Sequence, residues 1–263
     1  MSTILNTIAD YARQRVLRDA EENSIDVLKE LCQQAGRGNG AAFEQALRRD
    51  GMSFICEVKK ASPSKGIIAE DFPYLEIARA YEAAGADCIS CLTEPKWFLG
   101  SDEIFKEIRG AVSIPMIRKD FTVDEYQLYQ ARLMGANCVL LICALLDTET
   151  IQRYLTICEK LGLSALVEAH DPEQIQSAVK AGAKIIGVNN RNLHDFSVDF
   201  SNAARLRDLI SPECIYVAES GVAHPSDIAQ FKQIGADAAL VGEMLMRSAD
   251  KKEMLAQMRS YAQ

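Results

Sequence analysis

A short pattern recurs four times in this 263-residue chain, and its spacing constrains the fold more than any other feature. It reads AGADCISCL from Ala84, MGANCVLLI from Met134, AGAKIIGVN from Ala181 and IGADAALVG from Ile234. Each copy is Gly-Ala, one polar residue, then an apolar strand-like run. The glycines, Gly85, Gly135, Gly182 and Gly235, stand 50, 47 and 53 residues apart. A helix ends at each of them, where a left-handed C-cap costs little, and the chain turns straight into a strand.

A period near 50 is too long for one βα unit, which takes roughly 25–30 residues, and fits two. The intervening strands are SFICEV from Ser53, IPMIRKD from Ile114, LSALVEA from Leu163 and CIYVAES from Cys214. Helix starts lie between the strands: Asp71 or Pro73, Thr122, Asp147 or Thr148, Asp171-Pro172, and Pro225 to Asp227. Strands apolar on both faces, each followed by a helix, imply a parallel sheet. Eight such units imply an α/β fold, the (β/α)8 TIM barrel. No Gly-x-Gly-x-x-Gly follows the first strand, which disfavours the open doubly wound sheet. Residues 1–50 read as an N-terminal helical extension interrupted by Gly36 to Gly40, and residues 51–263 as the barrel, one catalytic domain.

In such a barrel the chemistry sits at the C-terminal strand ends. The odd strands end in Glu57 with Lys59, in Arg118-Lys119-Asp120, in Glu168, and in Glu219-Ser220-Gly221. The even ones end in Thr93-Glu94, Leu145, Asn189-Asn190-Arg191 and Gly242-Glu243. A lone charge at a strand end is ordinarily a surface salt bridge. Side chains from alternate strands share a layer, however, so Glu57, Lys119, Glu168 and Glu219 are expected to ring the mouth and split their pKa values into an acid and a base. The loops after strands seven and eight, with Gly221 and Gly242, are where barrels often hold phosphate, and Ser62 adds a hydroxyl.

Other features narrow the class. Net charge is −8, which argues against non-specific nucleic-acid or anionic-membrane binding but allows a local cationic pocket. No run approaches the roughly 18 apolar residues of a membrane span, and the start is neither a signal peptide nor an acid-poor transit peptide, so a cytoplasmic location is expected. Of the eight cysteines, most, namely Cys56, Cys88, Cys91, Cys138 and Cys143, sit in apolar runs and read as buried free thiols; Cys88 and Cys91, three apart on a strand, face opposite sides and cannot share a metal. The three histidines, His170, His194 and His224, show no metal-ligand spacing, so no metal or cofactor is expected. His170, just past strand five, is placed to touch substrate or to start a helix. These residues alone leave open a Schiff-base aldolase or an isomerase on a phosphosugar, and a non-catalytic phosphate-ligand barrel.

The strand-end motifs FICEVKKASPSKG, CLTEPKWFLG, IRKDF, LVEAHD, IGVNNRNL and VAESG resemble, in order, those of the indole-3-glycerol phosphate synthase family. The resemblance implies a cofactor-free carboxy-lyase of tryptophan biosynthesis that turns 1-(2-carboxyphenylamino)-1-deoxyribulose 5-phosphate into indole-3-glycerol phosphate, CO2 and water. It implies Lys119 as the acid on the ketone oxygen, Lys59 on the carboxylate and in the dehydration, and Glu168 as base or electrostatic partner. Glu57, Asn189 and Glu219 are implied as the supporting network. Arg191 is implied on the carboxylate and anthranilate side, with Phe98, Phe121, Leu193 and Leu240 clamping the anthranilate ring. Ser62, Pro63, Ser220, Gly221, Gly242 and Glu243 fall at substrate and phosphate positions; many members carry Ser where this chain has Glu243. The resemblance also implies a monomer with a small phosphorylated substrate and at most weak contact with other enzymes of the pathway.

Overall fold

A computed structural model describes residues 3–191, 197 and 199–263. Eight parallel strands close into a barrel: β1 Ser53–Val58, β2 Cys88–Leu92, β3 Met116–Lys119, β4 Cys138–Ile142, β5 Ser164–Ala169, β6 Ile185–Asn189, β7 Ile215–Glu219 and β8 Ala238–Val241. Each pairs with its neighbours in chain order, and β8 closes on β1 through Cys56 opposite Val241. The strands are buried along nearly their whole length, as their unbroken apolar runs require.

The repeated glycines end helices as expected. Gly85, Gly135, Gly182 and Gly235 all have positive φ, between 68° and 88°. They close α4 Tyr74–Ala83, α6 Tyr126–Leu133, α8 Pro172–Ala181 and α10 Ile228–Gln233. Asp147 caps α7 Thr148–Leu161, and Asp171 caps α8 with Pro172 in its first turn. One expected start is displaced. Thr122 caps nothing, and α6 begins only at Tyr126. Gln127 Oε1 accepts from the N–H groups of Val123 and Asp124, and its amide donates to the Phe121 carbonyl. Side-chain bonds thus hold residues 121–124 as a loop.

Two apolar layers flank the strands. Inside, Ile55, Ile117, Leu140, Leu166 and Val217 form one cluster; outside, Phe54, Ile89, Val139, Val167 and Tyr216 pack on the helices. Cys88 belongs to the inner cluster and Cys91 to the outer one, as the strand period demands.

The N-terminal helices touch the barrel at three levels. α1 Ile4–Glu22 carries Ile4, Leu5 and Ile8 to the mouth. α2 Ile25–Gln34 packs on α6. α3 Ala41–Leu47 sends Phe43 and Leu47 into the inner cluster at the opposite end. Gly40 is required there, because a Cβ would run into the backbone of Leu163 and Ser164.

Candidate active site

The C-terminal strand ends surround one deep cavity of about 930 Å3. Its wall includes Glu57, Lys59, Ser62, Pro63, Phe98, Lys119, Phe121, Glu168, Asn189, Arg191, Glu219, Ser220, Gly221, Leu240, Gly242 and Glu243. Every site residue expected from sequence is therefore brought together except Leu193, which lies outside the described residues.

Lys119 is the hub. Its Nζ donates to Glu168 Oε2 at 3.3 Å and lies 3.5 Å from Glu219 Oε2. Lys59 Nζ donates to Glu57 Oε1 at 2.5 Å, and Ser90 Oγ donates to Glu57 Oε2. β3, β5 and β7 are not sheet neighbours, so their side chains meet by reaching over β4 and β6. Gly187 makes room for this. It sits opposite Glu168 in the register, and a Cβ on it would collide with Glu219 Oε1. Gly242 does the same for the other pair, since a Cβ there would stand 2.6 Å from Glu57 Oε1 and 3.1 Å from Lys59 Nζ.

These groups titrate as a set. Burial by itself would lower Lys119, but Glu168, Glu219 and Glu57 outweigh it and raise its pKa. Burial pushes Glu57 up, yet Lys59 and Lys119 bring it below the usual carboxylate range. Burial also works against ionisation of Glu168, and Lys119, His170 and the Asn189 side chain more than compensate, so its pKa is lowered. Glu219 goes the other way. Burial and the nearby Glu168 charge exceed the pull of Lys119 and push it up to about 8. The two neighbouring carboxyls are driven in opposite directions, the split that separates a base from an acid.

One end of the cavity is apolar. The Phe98 and Phe121 rings lie 5.9 Å apart, tilted by 44°, near Leu92, Leu140, Ile142 and Leu240. Glu94, buried at the end of β2, accepts from the N–H groups of Lys96, Trp97 and Phe98 and so shapes the loop that presents Phe98. The other end is lined by Ser62, Ser220, Gly221, Gly242 and Glu243. Ser220 and Gly221 both have positive φ, 66° and 102°. Glu243 opens the short α11 Glu243–Arg247, and its Oε1 lies 3.1 Å from Arg247 Nε and 3.6 Å from Lys65 Nζ. Arg191 lines the cavity beside Asn189, whose Oδ1 accepts from the Arg191 N–H.

Of the charged run Arg118-Lys119-Asp120, only Lys119 joins the hub. Arg118 is buried against Asp102 and the Gln127 carbonyl. Asp120 accepts both guanidinium nitrogens of Arg15, at 2.6 and 3.1 Å, and the Thr93 hydroxyl. Sequence reading missed the wall from α1, the Arg15–Asp120 pair, Arg247, and the clearance at Gly187. The amphipathic face of α1 was legible, but nothing in it says which surface that face covers.

A closed parallel barrel with a buried lysine–carboxylate hub over a cavity apolar at one end and glycine-lined at the other is a (β/α)8-barrel enzyme. Two solved structures share the fold alone: thiamine phosphate pyrophosphorylase from Pyrococcus furiosus (17% identity, TM-score 0.61, 82% of this chain and 97% of that one) and 3-hexulose-6-phosphate synthase from Salmonella typhimurium (13%, TM-score 0.66, 80% and 98%). The family model for indole-3-glycerol phosphate synthase matches residues 5–258. Indole-3-glycerol phosphate synthase of Ruminiclostridium cellulolyticum is 51% identical over 98% of this chain and 100% of its own length. That of Lachnoclostridium phytofermentans is 43% identical over 98% and 99%. The chain belongs to the indole-3-glycerol phosphate synthase family, the carboxy-lyases of tryptophan biosynthesis.

Proposed function

We propose that the cavity closes, decarboxylates and dehydrates 1-(2-carboxyphenylamino)-1-deoxyribulose 5-phosphate to indole-3-glycerol phosphate, CO2 and water. The observation that carries the assignment of roles is Lys119 held between Glu168 and Glu219 in a cavity whose wall also carries Phe98, Phe121, Gly221 and Gly242. The anthranilate ring packs on Phe98, Phe121 and Leu240. The phosphate lies at Ser62, Pro63, Ser220, Gly221 and Gly242. Lys59 and Arg191 face the substrate carboxylate.

Such a placement folds a flexible substrate so that the ring carbon meets the ketone, and positioning of this kind supplies up to about 7–11 kcal/mol of barrier lowering. The Lys119 ammonium protonates the ketone oxygen as the carbon–carbon bond forms, in a site already arranged for that charge. The aniline nitrogen becomes the iminium that accepts the electrons released with CO2, so the substrate supplies its own sink. Lys59 then protonates the departing hydroxyl, and Glu168 takes the proton whose loss completes the indole. Glu57, Asn189 and Glu219 hold the lysines and Glu168 in place.

The reading extends to context. Residues 1–50 act as an extension to one catalytic domain, 51–263, and the protein works as a cytoplasmic monomer with at most weak contact to other tryptophan-pathway enzymes. Among the described residues no helix is long and apolar enough to cross a membrane. The test is to supply the carboxyphenylamino-deoxyribulose phosphate to purified protein and follow indole fluorescence together with CO2. Matched appearance of both is expected, with Glu168→Gln lowering turnover more than affinity. Substrate bound without product, or borohydride trapping of an adduct on Lys119, would overturn the proposal.

A further inference from the structure

The reaction as drawn leaves one half-buried group at its edge unused. His170 Nε2 stands 3.5 Å from Glu168 Oε1, the carboxylate oxygen opposite the one that faces Lys119. Both ring nitrogens are shielded from solvent, and neither has a hydrogen-bond partner among the described residues. A buried polar ring without partners costs stability. The backbone nevertheless holds it there: Gln174 Oε1 accepts from the His170 N–H, and Asn202 Nδ2 donates to the His170 carbonyl. α8 starts at once behind it, capped by Asp171.

We infer that His170 is a positioning residue for Glu168, its Nε2 edge set against Oε1 so that Oε2 is aimed at Lys119 and the reacting atoms. The inference rests on the reading of Glu168 given above. Glu168 is faced by Lys119 from β3, Asn189 from β6, Glu219 from β7 and His170 just past its own strand. His170 in turn adjoins Asp171 and, across a smaller side cavity, Arg191, Asp199 and Arg205. The His170 contact falls on Oε1, whereas Lys119 donates to Oε2. A donor at that oxygen favours the charged carboxylate, so its removal makes Glu168 harder to ionise.

The test compares His170→Leu, His170→Ala and His170→Gln with the parent enzyme. Leu and Ala are expected to lower kcat about tenfold with KM within about twofold, because the lost contact acts on the reacting carboxylate and not on substrate affinity. The acidic limb of their kcat profile moves to higher pH. Gln, whose amide N–H reaches about as far as Nε2, recovers most of kcat. Folded Leu and Ala variants with parental kcat, or a Gln variant as slow as Leu, overturn the inference. A carbon-13 titration of the Glu168 carboxyl reads the same contact without turnover. A midpoint raised in His170→Ala is expected, and an unmoved midpoint overturns the role. Failure of the parent enzyme to turn over substrate would instead count against the proposed reaction, which separates the two.

Discussion

Lys119 Nζ and Glu168 Oε2 lie 3.3 Å apart although their strands, β3 and β5, never touch in the sheet. Barrel closure and tilt put alternate strand ends in one layer, and buried charges there are tolerated only as partners. Lys119→Met removes both the acid and the counter-charge of Glu168. Turnover is expected to fall by about 10²–10⁴-fold, the range of a lost general acid, with the circular dichroism of a folded barrel retained. Parental turnover in this variant would remove Lys119 from the reaction.

The Glu219 pKa of about 8 gives stability a definite pH dependence. Its folded pKa is raised, so the native state binds more protons than the unfolded state between the ordinary glutamate value and about 8. That contribution is present below the ordinary value and is lost as pH rises through about 8. Glu57 and Glu168 are lowered and act oppositely: their contribution is present above the ordinary value and is lost in acid, as pH falls through their folded pKa. Glu219→Gln mimics the protonated form. The fall in melting temperature between pH 6 and pH 9 is expected to be smaller in this variant, measured by calorimetry at both pH values.

Arg15 ties α1 to the residue after Lys119 through two bonds to Asp120, whose side chain is 1% exposed. Arg15→Ala leaves the buried Asp120 carboxylate with Arg118 at 3.7 Å, the Thr93 hydroxyl and the Phe121 N–H, and losing the nearer cation of a buried pair costs up to about 3–5 kcal/mol. Urea unfolding should show a loss of that order, and Asp120→Asn in the same chain should restore part of it.

Gly187→Ala places a methyl where the Glu219 carboxylate lies. The carboxylate must move off Lys119, and a displacement of about 1 Å can cost about 10²-fold in rate. The expected signature is a drop in kcat with KM nearly constant, in steady-state kinetics on the indole product.

Glu243 occupies Lys65 and Arg247, two cations at the glycine-lined end. Glu243→Ser frees both for an anionic ligand. KM should fall severalfold, and inorganic phosphate should inhibit at lower concentration, with a steeper dependence on salt. A higher KM would mean that the carboxylate helps to build the site.

The order of elements was legible in the residues themselves. Eight buried strands, glycine C-caps at 85, 135, 182 and 235, and Asp caps at 147 and 171 follow from local rules of backbone geometry and burial, which act within a few residues. So did the candidate ring, because strand ends and alternate-strand layering need only chain order. Thr122 misled for a local reason of another kind: a side chain five residues on, Gln127, captured the backbone that a helix would have used.

What only the tertiary structure decided is who meets whom. The same motif Arg118-Lys119-Asp120 sends Lys119 to the carboxylate hub and its neighbours to other partners, Arg15 from a segment 105 residues away pairing with Asp120. Whether Glu168 or Glu219 holds the proton depends on a few ångströms of distance to Lys119, on burial, and on a glycine in the intervening strand. Backbone propensity and the hydrophobic period are written residue by residue and can be read that way. Electrostatic partnership falls off over ångströms in space, and no spacing along the chain encodes it until the barrel has closed.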